Sequence, residues 1–247
     1  MAHDIRRELQ SLIEKHTLHS PHASCLFQLF LFLFLLLLLS LFLNREGSSL
    51  ITSIIVAAFF LVYPFLMSFI GGKNEAFLFL NTNLGGAADT IFKYSSYLAE
   101  GWIWIPYFIV LVGYYKKDTS FILLNFLVST LLVQFAKNYI FENAMRPMAS
   151  GIPSENIHTV SGVEIHTFNS FPSGHSATAF TLFIISAYLF NNKPVFMMGL
   201  LYAIICSYSR IYLAQHFPLD VAGGIVAACI SVPLSILIRK KLNRKPF

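Results

Sequence analysis

The stretch SRIYLAQHFPLDVAGGIVAACISVPLSILI, residues 209–238, decides the fold. From 218 to 238 it is apolar, and Asp220 is its only charged side chain. A helix rises about 1.5 Å per residue and the hydrocarbon core of a bilayer is about 30 Å thick, so this run can cross a membrane. The sequence therefore predicts a membrane-spanning helix here. Similar apolar runs lie at 25–43, 51–70, 101–115, 119–136, 175–191 and 194–209.

The composition of the whole chain is that of a membrane protein. Of its 247 residues, 56% are hydrophobic and 12% are charged, whereas a soluble domain has about 25% charged residues. These values exclude a water-soluble globule, a disordered chain, a coiled coil and a basic nucleic-acid-binding module. The apolar runs also lack the alternation of a membrane barrel. The predicted fold class is all-α, a polytopic membrane helical bundle.

Basic residues predict the orientation of this bundle. The connectors 116–118 and 191–193 are very short and together contain three basic residues against one acidic, and the C-terminal tail is rich in Lys and Arg. Such segments normally stay in the cytoplasm. Counting spans from them places 71–100, 137–174 and 210–217 together on the exoplasmic side. In a bacterial cell this is the periplasmic face of the inner membrane.

The N-terminal part is interpreted as an addition to the main domain. We divide the chain into an N-terminal segment, 1–50, and a membrane domain, 51–247. Within the first part, 5–13 has apolar residues on one helical face and is expected to lie on the membrane surface. The run 25–43 is either an additional spanning helix or a half-buried hairpin arm, because a full span places Arg6 and Arg7 on the outside.

Two exoplasmic segments are expected to cover the bundle. The stretch 75–98 mixes charged and apolar residues around Gly85-Gly86, which predicts interfacial helix pieces. The loop 148–170 is polar and irregular and is expected to cap whatever site lies beneath it. We favour no substrate role for its histidines, His158 and His166.

Ionisable residues near membrane spans are costly and suggest function. Three clusters of them stand at predicted exoplasmic span ends. They are Lys137 with Arg146-Pro147, the helix start Phe171-Pro172-Ser173-Gly174-His175-Ser176, and Ser209-Arg210 with His216 and Asp220.

Together, the clusters predict an oxyanion site. Lys137, Arg146 and Arg210 supply three fixed cations, which suit an anion with several oxygens such as phosphate. The N–H groups at the start of the helix at 174 add a second phosphate-binding device. Taken singly, Lys137 and Arg146 could be interfacial anchors, and the Pro-Ser-Gly-His stretch could be an ordinary capped helix start. The occurrence of all three clusters on one side of the membrane favours a catalytic site over these structural roles.

The histidines suggest a division of labour. His216 and Asp220 stand four residues apart, which predicts that they share one side of a helical turn. The carboxylate can then orient the imidazole, so His216 is the candidate nucleophile. His175 is the candidate general acid for the leaving oxygen. Because no carboxylate pair has the spacing of a divalent-metal site, we predict no metal and no other cofactor.

At these residues the sequence resembles the type-2 phosphatidic acid phosphatase superfamily, lipid phosphate phosphatases whose active site is shared with vanadium haloperoxidases. The second and third family motifs are present as Pro172-Ser173-Gly174-His175 and as Ser209-Arg210 with His216 and Asp220. The first motif departs from the usual pattern, because eight residues separate Lys137 from Arg146 where six are usual.

The resemblance covers roughly 75–238 and implies a six-helix bundle with the site at its exoplasmic end. The run 25–43 would be an extra helix. It implies His216 as nucleophile, Asp220 as its partner and His175 as acid. The implied phosphate ligands are Lys137, Arg146, Ser173, Gly174 and Arg210.

We therefore expect an integral-membrane phosphatase that acts on a lipid phosphate or diphosphate through a phosphohistidine. The bilayer and its lipid substrate are the expected partners. Candidate substrates are undecaprenyl diphosphate, phosphatidylglycerophosphate, phosphatidic acid and lipid A phosphates. Two alternatives stay open: a lipid phosphotransferase that uses the same intermediate, and an anion-selective transporter without catalysis. A vanadium haloperoxidase is disfavoured, because this chain is not soluble.

Overall fold

The computed structural model describes residues 50–243, which fold entirely as helices, turns and irregular loops without a strand in that range. We number its α-helices in chain order. They are α1 (Leu50–Gly71), α2 (Lys73–Leu80), α3 (Gly86–Tyr97), α4 (Trp104–Tyr114), α5 (Thr119–Phe135), α6 (Gly174–Phe190), α7 (Lys193–Tyr212) and α8 (Pro218–Leu242).

The prediction of an all-α membrane bundle is confirmed. Four helical segments are long and apolar enough to cross a membrane: Leu50–Gly71, Thr119–Ile140, Lys193–Tyr212 and Pro218–Leu242. The helix α6 is apolar but shorter, and α3 together with Gly101–Tyr114 forms a pair bent by 60° that can count as a fifth span. The predicted segments 5–13 and 25–43 lie outside the described residues.

The predicted span 101–115 is shorter as an α-helix than expected. A 3₁₀ turn occupies Gly101–Ile103, and only Trp104–Tyr114 is α-helical. The stretch 75–98 forms two separate pieces, α2 and α3, as predicted. Gly85, with a φ of 90°, immediately precedes α3. A positive φ suits glycine, which lacks a Cβ, so the Gly85-Gly86 pair marks the break between the two helices.

The helix α8 lies at the centre of the bundle, where it packs against α1, α5 and α6. Pro64 lies inside α1 and Pro233 inside α8, and both helices continue through them. Fully buried aromatic side chains fill the space between helices. They include Phe77, Phe121, Phe180, Phe183 and Phe217. Burial of each such side chain contributes on the order of 1.5–3 kcal/mol where water is the alternative.

The two ends of the bundle are distinct. At one end, Arg239 near the C-terminus of α8 donates to Asp118 Oδ1 at 2.5 Å, in the short connector between α4 and α5. This contact brings the basic tail and the first short connector together, as the sequence predicted. The long loop 141–173, the turn 213–217 and the start of α8 lie at the other end.

Candidate active site

The turn that follows α7 brings Arg210 and His216 together. The carbonyl of Arg210 accepts hydrogen bonds from the N–H groups of Gln215, at 2.9 Å, and of His216, at 3.0 Å. Ala214 N–H donates to Ile211 O at 3.0 Å, and Ala214 has a φ of 55°. This is the Schellman pattern of a helix end, with alanine where glycine is usual. The spacing between Arg210 and His216 is therefore set by a helix-terminating turn.

His216 and Asp220 are adjacent, but not for the reason the sequence suggested. The helix α8 begins at Pro218, so His216 lies in the turn before it and not on a helical turn. Its Nδ1 is 3.4 Å from Asp220 Oδ2. That oxygen also accepts from Phe217 N–H at 2.9 Å and from Ser170 Oγ at 2.5 Å. The carboxylate thus caps α8, holds a loop residue and lies against the imidazole.

The second motif starts α6 beside this carboxylate. Ser173 is the N-cap residue, and its Oγ accepts from Ser176 N–H at 3.3 Å. The N–H of Ser173 donates to the carbonyl of Asp220 at 2.9 Å, which joins the starts of α6 and α8. His175 lies in the first turn of α6, and its buried Nε2 has no hydrogen-bond partner within residues 50–243.

A glycine pair in α8 permits this close approach. A Cβ at Gly224 would lie 2.5 Å from the carbonyl oxygen of Ser173 and 2.8 Å from Ser176 Cβ. A Cβ at Gly223 would lie 2.5 Å from the ring of Phe171. Sequence reasoning missed this function of the pair, although two adjacent glycines inside an apolar helix are a signal of close packing.

The first motif reaches the site through an irregular helix end. Lys137 lies in a π-helical turn, Ala136–Ile140, closed by a hydrogen bond from Phe141 N–H to Ala136 O at 2.8 Å. A π-turn accommodates extra residues within a helix. Lys137 Nζ donates to Asn169 O at 2.7 Å, directly before Ser170. The longer spacing of this motif therefore still leaves Lys137 beside the loop that contacts Asp220.

Arg146 is held against the turn that carries His216. Its Nε donates to Phe168 O at 2.9 Å, and its Nη1 donates to Gln215 O at 3.0 Å and Gln215 Oε1 at 3.2 Å. Gln215 in turn donates to Glu164 O at 2.9 Å. Neither Gln215 nor Ser170 was predicted as a site residue, because a polar side chain in a loop follows no periodic pattern.

Arg210 is buried beside α3. It is 7% exposed, its Nη1 donates to Ser96 Oγ, and its Nε has no partner among the described residues. Ser96 was not predicted, since it lies far from the motifs in sequence. An unpaired, buried guanidinium N–H is costly unless a ligand satisfies it. Arg210 therefore presents a donor for an anion.

Burial and charge keep His216 neutral. Burial lowers the pKa of its imidazole well below the usual range, and the positive charges of Arg146, Arg210 and Lys137 act in the same direction, while the backbone of Ser170 acts against them. A neutral imidazole can act as a nucleophile. Burial and the surrounding cations therefore favour the reactive protonation state.

A pocket of about 360 Å³ borders Arg146. Its other lining residues are Ile165, His166, Thr167, Phe168 and Asn169. Within residues 50–243, no three His, Cys, Asp or Glu side chains are grouped closely enough to hold a metal ion. The predicted site residues lie at one end of the bundle, and of these residues only Arg146 lines this pocket.

Comparison with known proteins identifies the family. Residues 119–244, about half of the chain, match the model of the PAP2 superfamily. The chain belongs to this superfamily. The resemblance seen in the three motifs is thereby confirmed.

Several known proteins are similar to more than half of this chain. The chain is 26% identical over 186 residues to an undecaprenyl-diphosphatase of Sulfolobus acidocaldarius, covering 72% of this chain and 86% of that protein. It is 25% identical over 152 residues to a lipid A 4'-phosphatase of Bacteroides thetaiotaomicron, covering 58% and 67%. The crystal structure of Aquifex aeolicus LpxE matches with a TM-score of 0.57 and 30% identity, covering 66% of this chain and 93% of that one.

Proposed function

We propose that this PAP2 protein is an integral-membrane phosphatase that hydrolyses a lipid phosphate or diphosphate through a phosphohistidine on His216. The observation that carries the proposal is the position of this buried, neutral imidazole, 3.4 Å from Asp220 and influenced by the charges of Lys137, Arg146 and Arg210. The names of the similar proteins, which include an undecaprenyl-diphosphatase and a lipid A 4'-phosphatase, support the choice of a lipid substrate.

The geometry suggests which atom reacts. Because Nδ1 of His216 faces Asp220, Nε2 is the nitrogen available to attack phosphorus. A P–N bond forms as the bond from phosphorus to the lipid oxygen breaks. Asp220 stabilises the positive charge that develops on the ring. The proton on His175 goes to the departing lipid oxygen.

The second half of the reaction returns the site to its starting state. Water attacks the phosphorus of the phosphohistidine and gives its proton to the neutral His175. The P–N bond breaks, and inorganic phosphate leaves. The negative charge of the bound phosphate offsets the surrounding cations and so allows His175 to carry its proton. Atoms and charges therefore balance without an additional cofactor.

The phosphate oxygens have several donors available. The Nε of Arg210 is unpaired in the described structure. The N–H groups of Gly174 and His175 lie in the first turn of α6, where a helix has no internal acceptors for them. The ammonium of Lys137 lies beside Asn169. Such fixed donors stabilise developing charge in the transition state.

The orientation follows from charge. The bundle end opposite the site contains the connector 116–118 and the basic end of α8, joined by Arg239 and Asp118. Basic segments favour the cytoplasm. We therefore place the site at the periplasmic face of the bacterial inner membrane, where the pocket beside Arg146 would receive a lipid headgroup.

A substrate panel tests this function. Purified protein in detergent is given undecaprenyl diphosphate, phosphatidylglycerophosphate, phosphatidic acid and lipid A, and released phosphate is measured. We expect release from at least one lipid, and a loss of several orders of magnitude in His216→Ala. Tyr114→Ala is the control, because this side chain is 77% exposed and lies beside the connector 116–118, at the bundle end opposite the site. Equal hydrolysis by wild type and His216→Ala would contradict the proposal.

The same assay distinguishes the alternatives. A phosphotransferase would yield a phosphorylated lipid acceptor in place of inorganic phosphate. A transporter would move anions across a vesicle membrane, and its flux would survive His216→Ala.

A further inference from the structure

Asn81 is a buried polar residue that the proposed reaction does not use. It lies between α2 and α3 and is 3% exposed. The two N–H groups of its Nδ2 are shared among three carbonyls, those of Tyr212 at 2.8 Å, Ile211 at 3.0 Å and His158 at 3.1 Å. Its Oδ1 accepts from the N–H of His158 at 2.8 Å. One side-chain amide therefore joins three segments that are distant in sequence.

One of these segments, Ile211-Tyr212, borders the site. Ile211 and Tyr212 directly follow Arg210 and begin the turn that ends at His216. The last carbonyls of a helix have no partners within the helix, so they need donors from elsewhere. Asn81 provides such donors from another part of the chain. It thus caps the end of α7 at the point where the chain leaves Arg210 and turns toward His216.

A second contact holds the same turn. The hydroxyl of Tyr212, a fully buried residue, donates to Asp89 Oδ1 at 2.6 Å, and His158 Nε2 lies 3.0 Å from the same oxygen. The hydroxyl also accepts from Leu84 N–H at 3.3 Å. Asp89 belongs to α3, so this helix is tied both to the turn after α7 and to the loop 148–170.

The other end of α3 contacts Arg210 itself, through Ser96. Together these contacts hold residues 210–212 from a part of the chain that precedes the residues matching the PAP2 model, 119–244. These contacts hold the end of α7, which carries Arg210 and from which the chain turns toward His216.

We propose that Asn81 and Asp89 are positioning residues, which hold the turn 211–216 so that Arg210 and His216 act on the same phosphate. The inference rests on the proposed function. Neither residue touches the reacting atoms, and both act through the turn. A displacement of about 1 Å at a reacting centre can cost about 100-fold in rate. Removing the amide should therefore affect catalysis more than the stability of the whole bundle.

The test compares Asn81→Ala with Asn125→Ala. Asn125 is a matched control, because it is also a fully buried amide, and its Nδ2 bonds only within α5, to Phe121 O at 2.9 Å. For each variant we measure kcat, KM, the thermal midpoint in detergent and the affinity for orthovanadate, a phosphate analogue. We expect Asn81→Ala to lose about 10-fold to 100-fold in kcat and to bind orthovanadate more weakly. We expect Asn125→Ala to keep both at similar thermal stability.

A second variant keeps the test decisive if Asn81→Ala does not fold. Asp89 is only partly buried, so Asp89→Ala should fold, and we expect about a 3-fold to 10-fold loss of kcat from the release of Tyr212. If Asn81→Ala does not fold, Asp89→Ala decides. The proposal is overturned if the folded variants keep wild-type kcat and orthovanadate affinity, or if Asn125→Ala loses as much.

The activity of the wild type on the lipid panel distinguishes a failure of the proposed function from a failure of this inference. If the wild type hydrolyses none of the lipids, the proposed function fails. The positioning role is then decided by orthovanadate binding alone, in the wild type and in Asn81→Ala.

Discussion

Replacing Gly224 by alanine should disable the site while leaving the bundle assembled. The new Cβ would lie 2.5 Å from the carbonyl oxygen of Ser173, which is about 0.9 Å inside the ordinary contact range that starts at 3.4 Å. It would also lie 2.9 Å from the backbone nitrogen of Ala177. Because these are backbone atoms at the start of a helix, no side-chain rotation can relieve the overlap. The helices α6 and α8 must move apart.

The size of that movement sets the expected effect. Separation by several tenths of an ångström would stretch the bond from Ser173 N–H to Asp220 O and move His175 away from His216. Overpacking of this kind costs about 1–3 kcal/mol of stability. Misplacement of reacting groups by about 1 Å can cost about 100-fold in rate. We therefore expect a large loss of kcat with a modest loss of thermal stability.

The assay is the rate of phosphate release in detergent, with the thermal midpoint measured on the same samples. Gly199→Ala is the matched control. Its Cβ would approach the ring of Phe183 at 3.3 Å, and a side chain can yield. Gly199 also lies on α7, three helical turns from Arg210. Wild-type kcat in Gly224→Ala, or an equal loss in Gly199→Ala, would refute the reasoning.

Three further predictions concern protonation, the turn and metal ions. The dependence of kcat on pH should be bell-shaped, because in the substrate complex His216 must be neutral and His175 protonated. For kcat/KM, which reports the free enzyme, burial and the neighbouring cations lower the pKa of His216, so an acid limb due to this residue should lie below about pH 6.5, and one above that value would contradict the account. Ala214→Gly should keep kcat, because glycine adopts a φ of 55° more readily than alanine, and a large loss of kcat would argue against the turn described. Excess EDTA should leave phosphate release unchanged, whereas a strict need for added Mg²⁺ would rule out a site made of protein cations alone.

Much of the fold could be predicted because the length of an apolar run indicates whether it can cross the membrane as a helix. The apolar runs 51–70, 119–136, 194–209 and 218–238 agree with α1, α5, α7 and α8 to within a few residues at most ends. The predicted bounds of the span at 101–115 agree less well with the structure. Its first residues form a 3₁₀ turn after the bent connection from α3, and the hydropathy of a run does not indicate how its first turn is wound.

The candidate site could be predicted in its charged residues and not in its supports. Charge inside or beside a membrane span is rare, which made Arg146, Arg210 and Asp220 stand out. The supports depend on contacts across long distances in sequence, such as that between Asn81 and Tyr212. The Schellman turn at Ala214 was hidden because its left-handed position holds no glycine.

The account depends on His216 becoming covalently phosphorylated. The most direct measurement is to quench the reaction during turnover and map the phosphoryl group by mass spectrometry under alkaline conditions, in which phosphohistidine survives. The account predicts phosphate on His216, absent from His216→Ala and accumulating when water attack is slowed in His175→Ala with a substrate that has a good leaving group. Phosphate on another residue, or turnover with oxygen exchange but without any phosphorylated histidine, would contradict it.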